Sequence, residues 1–203
     1  MIRNIVFDMG EVLIHFNISD FADRYDITAE DKELLLKELF LGNADWALCD
    51  WGFYTEEEVA ERACRRLPER LHEAAYGISC RWFEPVDPVE GMADIVRRLK
   101  EAGYGVYLLS NAGMKHREYW PKVPGSEYFD GVVASAYEKM IKPQPEIYRL
   151  LLDRFGLKAE ECLFIDDRMV NLAGAEICGM ESLLFTDAKK LLVDLAERGI
   201  ELP

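Results

Sequence analysis

The sequence predicts an α/β fold: a doubly wound parallel sheet with a small helical cap inserted after its first strand. Three observations carry that prediction. Residues 2–8, Ile-Arg-Asn-Ile-Val-Phe-Asp, form a short apolar, β-prone stretch of the kind buried on both faces of a parallel sheet. From about Phe16 to Glu84 the texture turns helical and acidic. From Asp87 onward strands and helices alternate strictly, which implies right-handed βαβ units. The expected organisation is a core of residues 1–15 and 86–203 interrupted by a helical cap at 16–85.

Each element has a local reason. In the cap, Leu35, Leu36, Leu39 and Phe40 repeat at helical spacing. Thr55 with Glu58 three residues on is a capping-box signature that opens a helix toward Cys64. Glu56, Glu57 and Glu58 then read as a solvated helix start. Asp87-Pro88-Val89-Glu90 reads as an N-cap, a first-turn Pro and a first-turn acid. Met92, Ile95, Val96 and Leu99 follow as one apolar face, and Gly103 as the stop. Strand-like runs end at Ser110, near Ser135, at Asp166 and near Phe185, with helical stretches around 114–120, 145–155, 170–178 and 188–198.

Composition narrows the function. Half of the 203 residues are hydrophobic, enough for a sizeable core. Acids outnumber bases 38 to 24, and the net charge of −14 repels nucleic acid and anionic membrane. An anionic substrate would therefore need a local cationic device. No apolar run reaches the length of a spanning helix, and Asp8 falls where a signal-peptide core would be, so a cytoplasmic protein is expected. The five cysteines form no Cys-x-x-Cys pair and read as reduced thiols. The three histidines are never four apart, so no helical zinc site is visible. A monomer is the default, with a homodimer allowed.

In an open parallel sheet, ligands bind beyond the carboxyl ends of the strands, so polar residues there are the candidates. Strand one ends in Asp8, the next in Ser110-Asn111 and the fourth in Asp166-Asp167; Lys142 sits in a Lys-Pro-Gln-Pro turn. Three carboxylates, a hydroxyl and an ammonium thus converge on one edge. A hard divalent cation is the natural partner of such acids, and magnesium, carboxylates, Lys and Ser suit a phosphoryl group.

The segments FDMGEVLI (7–14), LLSNAG (108–113), IKPQPEIY (141–148) and FIDDRMVNLAGAEICGM (164–180) resemble, in order and spacing, the four motifs of the haloacid dehalogenase superfamily. The similarity spans nearly the whole chain and is greatest to a small bacterial branch of sugar-phosphate phosphatases. It implies that Asp8 is the nucleophile and forms an aspartyl-phosphate. It implies Mg2+ held by Asp8, the Gly10 carbonyl and Asp167, with Asp166 assisting. It implies that Ser110 and the backbone at Asn111 bind phosphate oxygens, that Lys142 neutralises charge and pins Asp8, and that Asn171 orients the acids. The expected partner is a small phosphorylated metabolite, with a sugar phosphate first.

One position departs from the pattern. Most phosphatases of the superfamily carry an Asp two residues after the nucleophile as general acid and base; here that residue is Gly10. Losing such a group typically costs on the order of 10²–10⁴ in rate. Three explanations compete: a good leaving group, a substitute such as Glu11 or a substrate hydroxyl, or a protein that binds and regulates more than it turns over. A 2-haloacid dehalogenase is a distant third function, because Asp166 and Asp167 have no purpose beside a halide. In the cap, Trp46, Trp51 and Phe53 flank Asp50 and Gly52 and read first as cap core, with substrate contact by one of them or by Asp50 as the alternative. Arg65 and Arg66 read as surface residues, His15 as structural.

Overall fold

A computed structural model describes residues 1–203. Its centre is one five-stranded parallel sheet: β1 (Asn4–Phe7), β2 (Gly105–Ser110), β3 (Gly131–Ala134), β4 (Cys162–Asp166) and β5 (Glu181–Leu184), in the order β3-β2-β1-β4-β5. The chain builds outward from β1 through β2 to β3, then returns across β1 to lay down β4 and β5. The strand order therefore reverses at β1, and a crevice opens at the carboxyl ends beside it.

Alternation along β1 explains why it is central. Ile5 and Phe7 join one apolar cluster and Val6 joins the other, so both faces of the strand are buried. One face is covered by helices α9 (Pro145–Phe155) and α10 (Met169–Ile177), through Tyr148, Leu151 and Leu172. The opposite face is covered by α6 (Met92–Glu101) and α11 (Ala188–Glu197), through Ile95, Leu99 and Leu195. Gly156, left-handed at φ 64°, stops α9 as its sequence position foretells.

Between β1 and α6 the chain is helical: α1 (Ile18–Ala22), α2 (Ala29–Leu36), α3 (Asp45–Asp50), α4 (Glu56–Cys64) and α5 (His72–Arg81). It leaves and returns through touching strands of backbone, His15 N–H donating to Asp87 O at 2.8 Å and Val89 N–H to Leu13 O at 3.0 Å. That pairing corrects one expectation. Asp87 does not cap α6; Pro88 is bridged to Ile14, and the helix begins only after Gly91, left-handed at φ 87°. A second difference lies at 37–41, where α2 widens into a π turn closed by Gly42 N–H on Lys37 O. The capping box of Thr55 and Glu58 forms as read.

Arg66 is not near the sheet edge: it pairs with Glu38 at 2.6 Å and, together with Arg62, holds the buried Asp45. After β2 comes α7 (His116–Tyr119), where His116 is buried and stacked on Trp120. Burial, reinforced by Arg117, lowers the His116 pKa to about 4. The unfolded chain takes up this proton near pH 6.5 and the folded one only near 4, so this residue's contribution to stability is lost as pH falls through that window. The shift corresponds to about 3 kcal/mol. The parent's melting temperature should therefore fall relative to that of His116→Phe on acidification from pH 7 to 4. A constant difference would show that the ring's burial does not govern its titration.

Candidate active site

Asp8 follows the last residue of β1, and its N–H donates to Ile165 O at 2.9 Å, which locks its place beside β4. Its carboxylate is buried, accepting from Met9 N–H at 2.6 Å and facing Lys142 Nζ at 2.8 Å. The same ammonium reaches Asp166 Oδ2 at 2.7 Å. Asp166 is fully occupied: Asn171 Nδ2 donates to both its oxygens at 3.0 Å and Arg168 N–H to Oδ1 at 2.8 Å. Asn171 is in turn fixed by Tyr148, whose hydroxyl donates to its carbonyl at 2.7 Å. The turn that carries Lys142 is fastened by Asn111, whose side chain both accepts from Lys142 N–H and donates to Lys142 O.

Oxygens of Asp8, Asp166 and Asp167 lie within 4.8 Å of one another. Crowding them has electrostatic consequences. Burial raises the Asp8 pKa, Lys142 pulls it back and Asp166 raises it further. Burial, then Asp166, also raises Asp167. Burial opposes the charge on Lys142, yet the two flanking carboxylates lift its pKa above the ordinary lysine value. A cluster of three acids against one ammonium is short of positive charge, and its donors are all hard oxygens. Both features fit Mg2+.

Above this cluster is a cavity of about 280 Å³. Its floor includes Asp8, Gly10, Lys142 and Asp167, and one wall is the turn Asn111, Ala112 and Gly113. The roof comes from the helical insertion: Trp46, Cys49, Asp50, Glu56 and Trp82. Phe16, Trp46, Trp82 and Tyr119 touch in a chain of rings, with centroids 4.9–5.9 Å apart. Of the predicted site residues, two, Ser110 and Asp166, lie outside the cavity lining. Ser110 is buried outside the cavity lining, and its Oγ has one contact, Asn111 O at 3.5 Å.

Sequence reading misplaced one acid. Glu56 is not a solvated helix start but is 4% exposed, its Oε1 accepting from Lys115 N–H at 2.8 Å while Oε2 has no partner. Burial raises its pKa. Room for it exists because residue 113 is Gly; a Cβ there would stand 2.4 Å from Glu56 Oε1. Glu57 and Glu58 do remain at the surface. Trp51 donates Nε1–H to Lys139 O at 3.0 Å and Phe53 is exposed, so neither is insertion core. Glu11, left-handed at φ 57°, spends a carboxylate oxygen on Phe16 N–H at 2.6 Å. No helix is long and apolar enough to cross a membrane.

Comparison with known proteins agrees with the motif reading. A family model described as haloacid dehalogenase-like hydrolase matches residues 2–179. A sesquiterpene phosphatase of Aspergillus oryzae is 32% identical over 203 residues, covering 95% of this chain and 94% of that protein. A glyceraldehyde 3-phosphate phosphatase of Pyrococcus abyssi is 29% identical over 109 residues, 53% of this chain and 46% of that one. Among solved structures, a HAD-like hydrolase from Porphyromonas gingivalis superposes with a TM-score of 0.72 at 24% identity, covering 99% of both chains. A HAD family enzyme from Bacteroides thetaiotaomicron, in complex with magnesium and inorganic phosphate, gives 0.68 at 23% identity over 92% of this chain and 96% of that one.

Proposed function

The chain belongs to the haloacid dehalogenase-like hydrolases, and on that premise we propose that it hydrolyses a small phosphomonoester through an aspartyl-phosphate on Asp8. The observation that carries this reading is a buried carboxylate, fixed by Lys142 at 2.8 Å, on the floor of a cavity roofed by the helical insertion. Residues 16–85 act in this reading as a cap over the strand ends.

Asp8, the Gly10 carbonyl and Asp167 would hold Mg2+, which when bound supplies charge to the phosphoryl oxygens and lowers repulsion between them and Asp8. Asp166, with every oxygen already committed, works behind them by anchoring Lys142 and receiving Asn171. One Asp8 oxygen attacks phosphorus while Lys142 balances the charge that builds on the site. Asn111 presents its backbone, since its side chain is spent on the Lys142 turn. The Ser110 hydroxyl, with only its 3.5 Å contact to give up, turns to a phosphate oxygen. Water then releases phosphate from Asp8.

The leaving group lies under the roof. A sugar fits that chemistry, its C–H faces on Trp46, Trp82 and Phe16 and its hydroxyls on Glu56, whose Oε2 lacks a partner. A second reading has its own support: the ring chain suits an apolar ester, and the Aspergillus relative is named for a sesquiterpene substrate. Phosphate release from hexose phosphates and from farnesyl phosphate, with Mg2+ or with EDTA, tests both. Release from neither class in Mg2+ overturns the phosphatase reading.

The cap is latched where it matters. Ser135 Oγ donates to Asp50 O, and Gly52, at φ 78°, is pressed so closely on α8 (Ser135–Glu138) that a Cβ would fall 2.1 Å from Ala136 O. Gly52→Ala adds roughly 1–2 kcal/mol of left-handed strain and pushes this turn off the core. Its kcat/KM should fall about tenfold or more, a factor of ten being about 1.4 kcal/mol. An unchanged kcat/KM would show that this contact is not needed for turnover.

A further inference from the structure

We propose that Asp50, on the cap, is the general acid and base that Gly10 cannot be, approaching the leaving oxygen from the roof rather than from the nucleophile's own loop. The inference rests on the phosphatase reading of Asp8 and adds a residue to it.

Elimination among the cavity carboxyls leads there. Asp8 is held by Lys142, Glu11 gives one oxygen to Phe16 N–H, and Glu56 is tied through Oε1 to Lys115 N–H, its free Oε2 being the oxygen assigned above to substrate hydroxyls. Asp167 has no such partner, but it stands on the floor within the cluster of Asp8 and Asp166. Asp50 is the remaining acid, and its carboxyl has no hydrogen-bond or ion-pair partner while it lines the cavity. Its backbone is held still, at the end of α3, by Ser135 Oγ on Asp50 O and by Trp51 on Lys139 O. A free carboxyl on a fixed backbone, opposite a nucleophile, is the arrangement that proton transfer to a leaving group needs.

The groups facing Asp50 are Cys49 on its own helix, Glu56 on α4, Tyr119 on α7, and Asp8 and Lys142 below. Burial first, then Glu56 and Asp8, raise its pKa to about 7, with Lys142 pulling back. A carboxyl that titrates near neutral pH can both give up a proton and take one back.

The proton and electrons balance over two half-reactions. As Asp8 forms its bond to phosphorus, the bond from phosphorus to the leaving oxygen breaks and that oxygen keeps the electron pair. Asp50 gives it a proton, so a neutral alcohol departs. Water then attacks phosphorus, the bond to Asp8 breaks, and the Asp50 carboxylate takes the water's proton. Both carboxyls are restored. Gly10 adds a complementary fact: a Cβ there would meet only Phe16 Cβ, at 3.8 Å, so packing does not exclude an acid.

The test compares two probes, p-nitrophenyl phosphate, whose leaving group needs no proton, and glycerol 2-phosphate, whose alkoxide does. Asp50→Asn should lower kcat/KM on the alkyl ester on the order of 10²-fold or more beyond its effect on the aryl ester. Asp50→Glu should recover part of the alkyl rate, and Gly10→Asp in the Asp50→Asn background should recover it by the other route. Equal losses on both probes would make Asp50 a latch of the cap and overturn the proposal. So would no loss on either, or a parent enzyme that cleaves the aryl ester and not the alkyl one. Aryl release that is independent of Mg2+ or that survives Asp8→Asn fails the Asp8 reading instead, and is distinguishable because it does not involve Asp50.

Discussion

Asp8→Asn should abolish phosphate release, a drop on the order of 10⁴-fold or more, since in the proposed mechanism it removes the nucleophile and with it the reaction path, not merely one aid to it. The substitution is a clean one. Asn keeps the shape, still offers an oxygen to Lys142 and can still accept from Met9 N–H, whose present distance to Asp8 Oδ1 is 2.6 Å. It lacks only the charge. Burial raises the Asp8 pKa, so the folded protein holds its proton more tightly than the unfolded chain does. The stability a raised carboxyl contributes is fully present below its unfolded pKa and is lost as pH rises from there through the folded pKa. The melting temperature of the inactive variant should therefore rise relative to that of the parent as pH goes from 4 to 8, ending above it at pH 8. A variant that melts lower at pH 8 would mean that the ionised Asp8 is a stabilising partner of Lys142 rather than a cost carried for chemistry.

The parts of this site that the sequence discloses are those whose position is set by strand ends. Asp8 and Asp166 close apolar runs and Lys142 stands directly before a loop proline, and parallel-sheet geometry puts such residues at one edge whatever the details. The same holds for the sheet, whose strand ends at Ser110 and Asp166 fall where the apolar runs stop. The roof had no such reference. Glu56 is the first residue of a capped helix, and an acid there ordinarily faces water; what buries it is Lys115 N–H, 59 residues away, together with the space that Gly113 leaves. Asp50 could be noticed, flanked by aromatics, but not aimed. The start of α6 misled for a related reason: Asp87-Pro88 has every local mark of an N-terminus, and a long-range bridge from Pro88 to Ile14 overrides it. Local signals lose wherever the outgoing and returning chains of the insertion touch.

Lys142 answers a question that the net charge raises, namely how a chain at −14 can hold an anion at all. Its ammonium is buried between Asp8 and Asp166, 2.8 and 2.7 Å away, and is the only basic side chain among the groups that lock these acids. Lys142→Met preserves length and apolar bulk but leaves two buried carboxylates facing each other. Breaking a buried pair by removing one partner costs about 3–5 kcal/mol, more than most substitutions. The loss should itself depend on pH. Without the ammonium the folded pKa values of the acids rise, so protonation on acidification relieves the repulsion, and the deficit measured by urea unfolding in EDTA should be large at pH 8 and small at pH 5. Phosphate release should fall with it at every pH, because protonating Asp8 to save the fold disables the nucleophile. A deficit that is the same at both pH values would show that Lys142 stabilises by packing its stem against Phe164, whose ring centroid lies 5.4 Å from Nζ, and not by its charge.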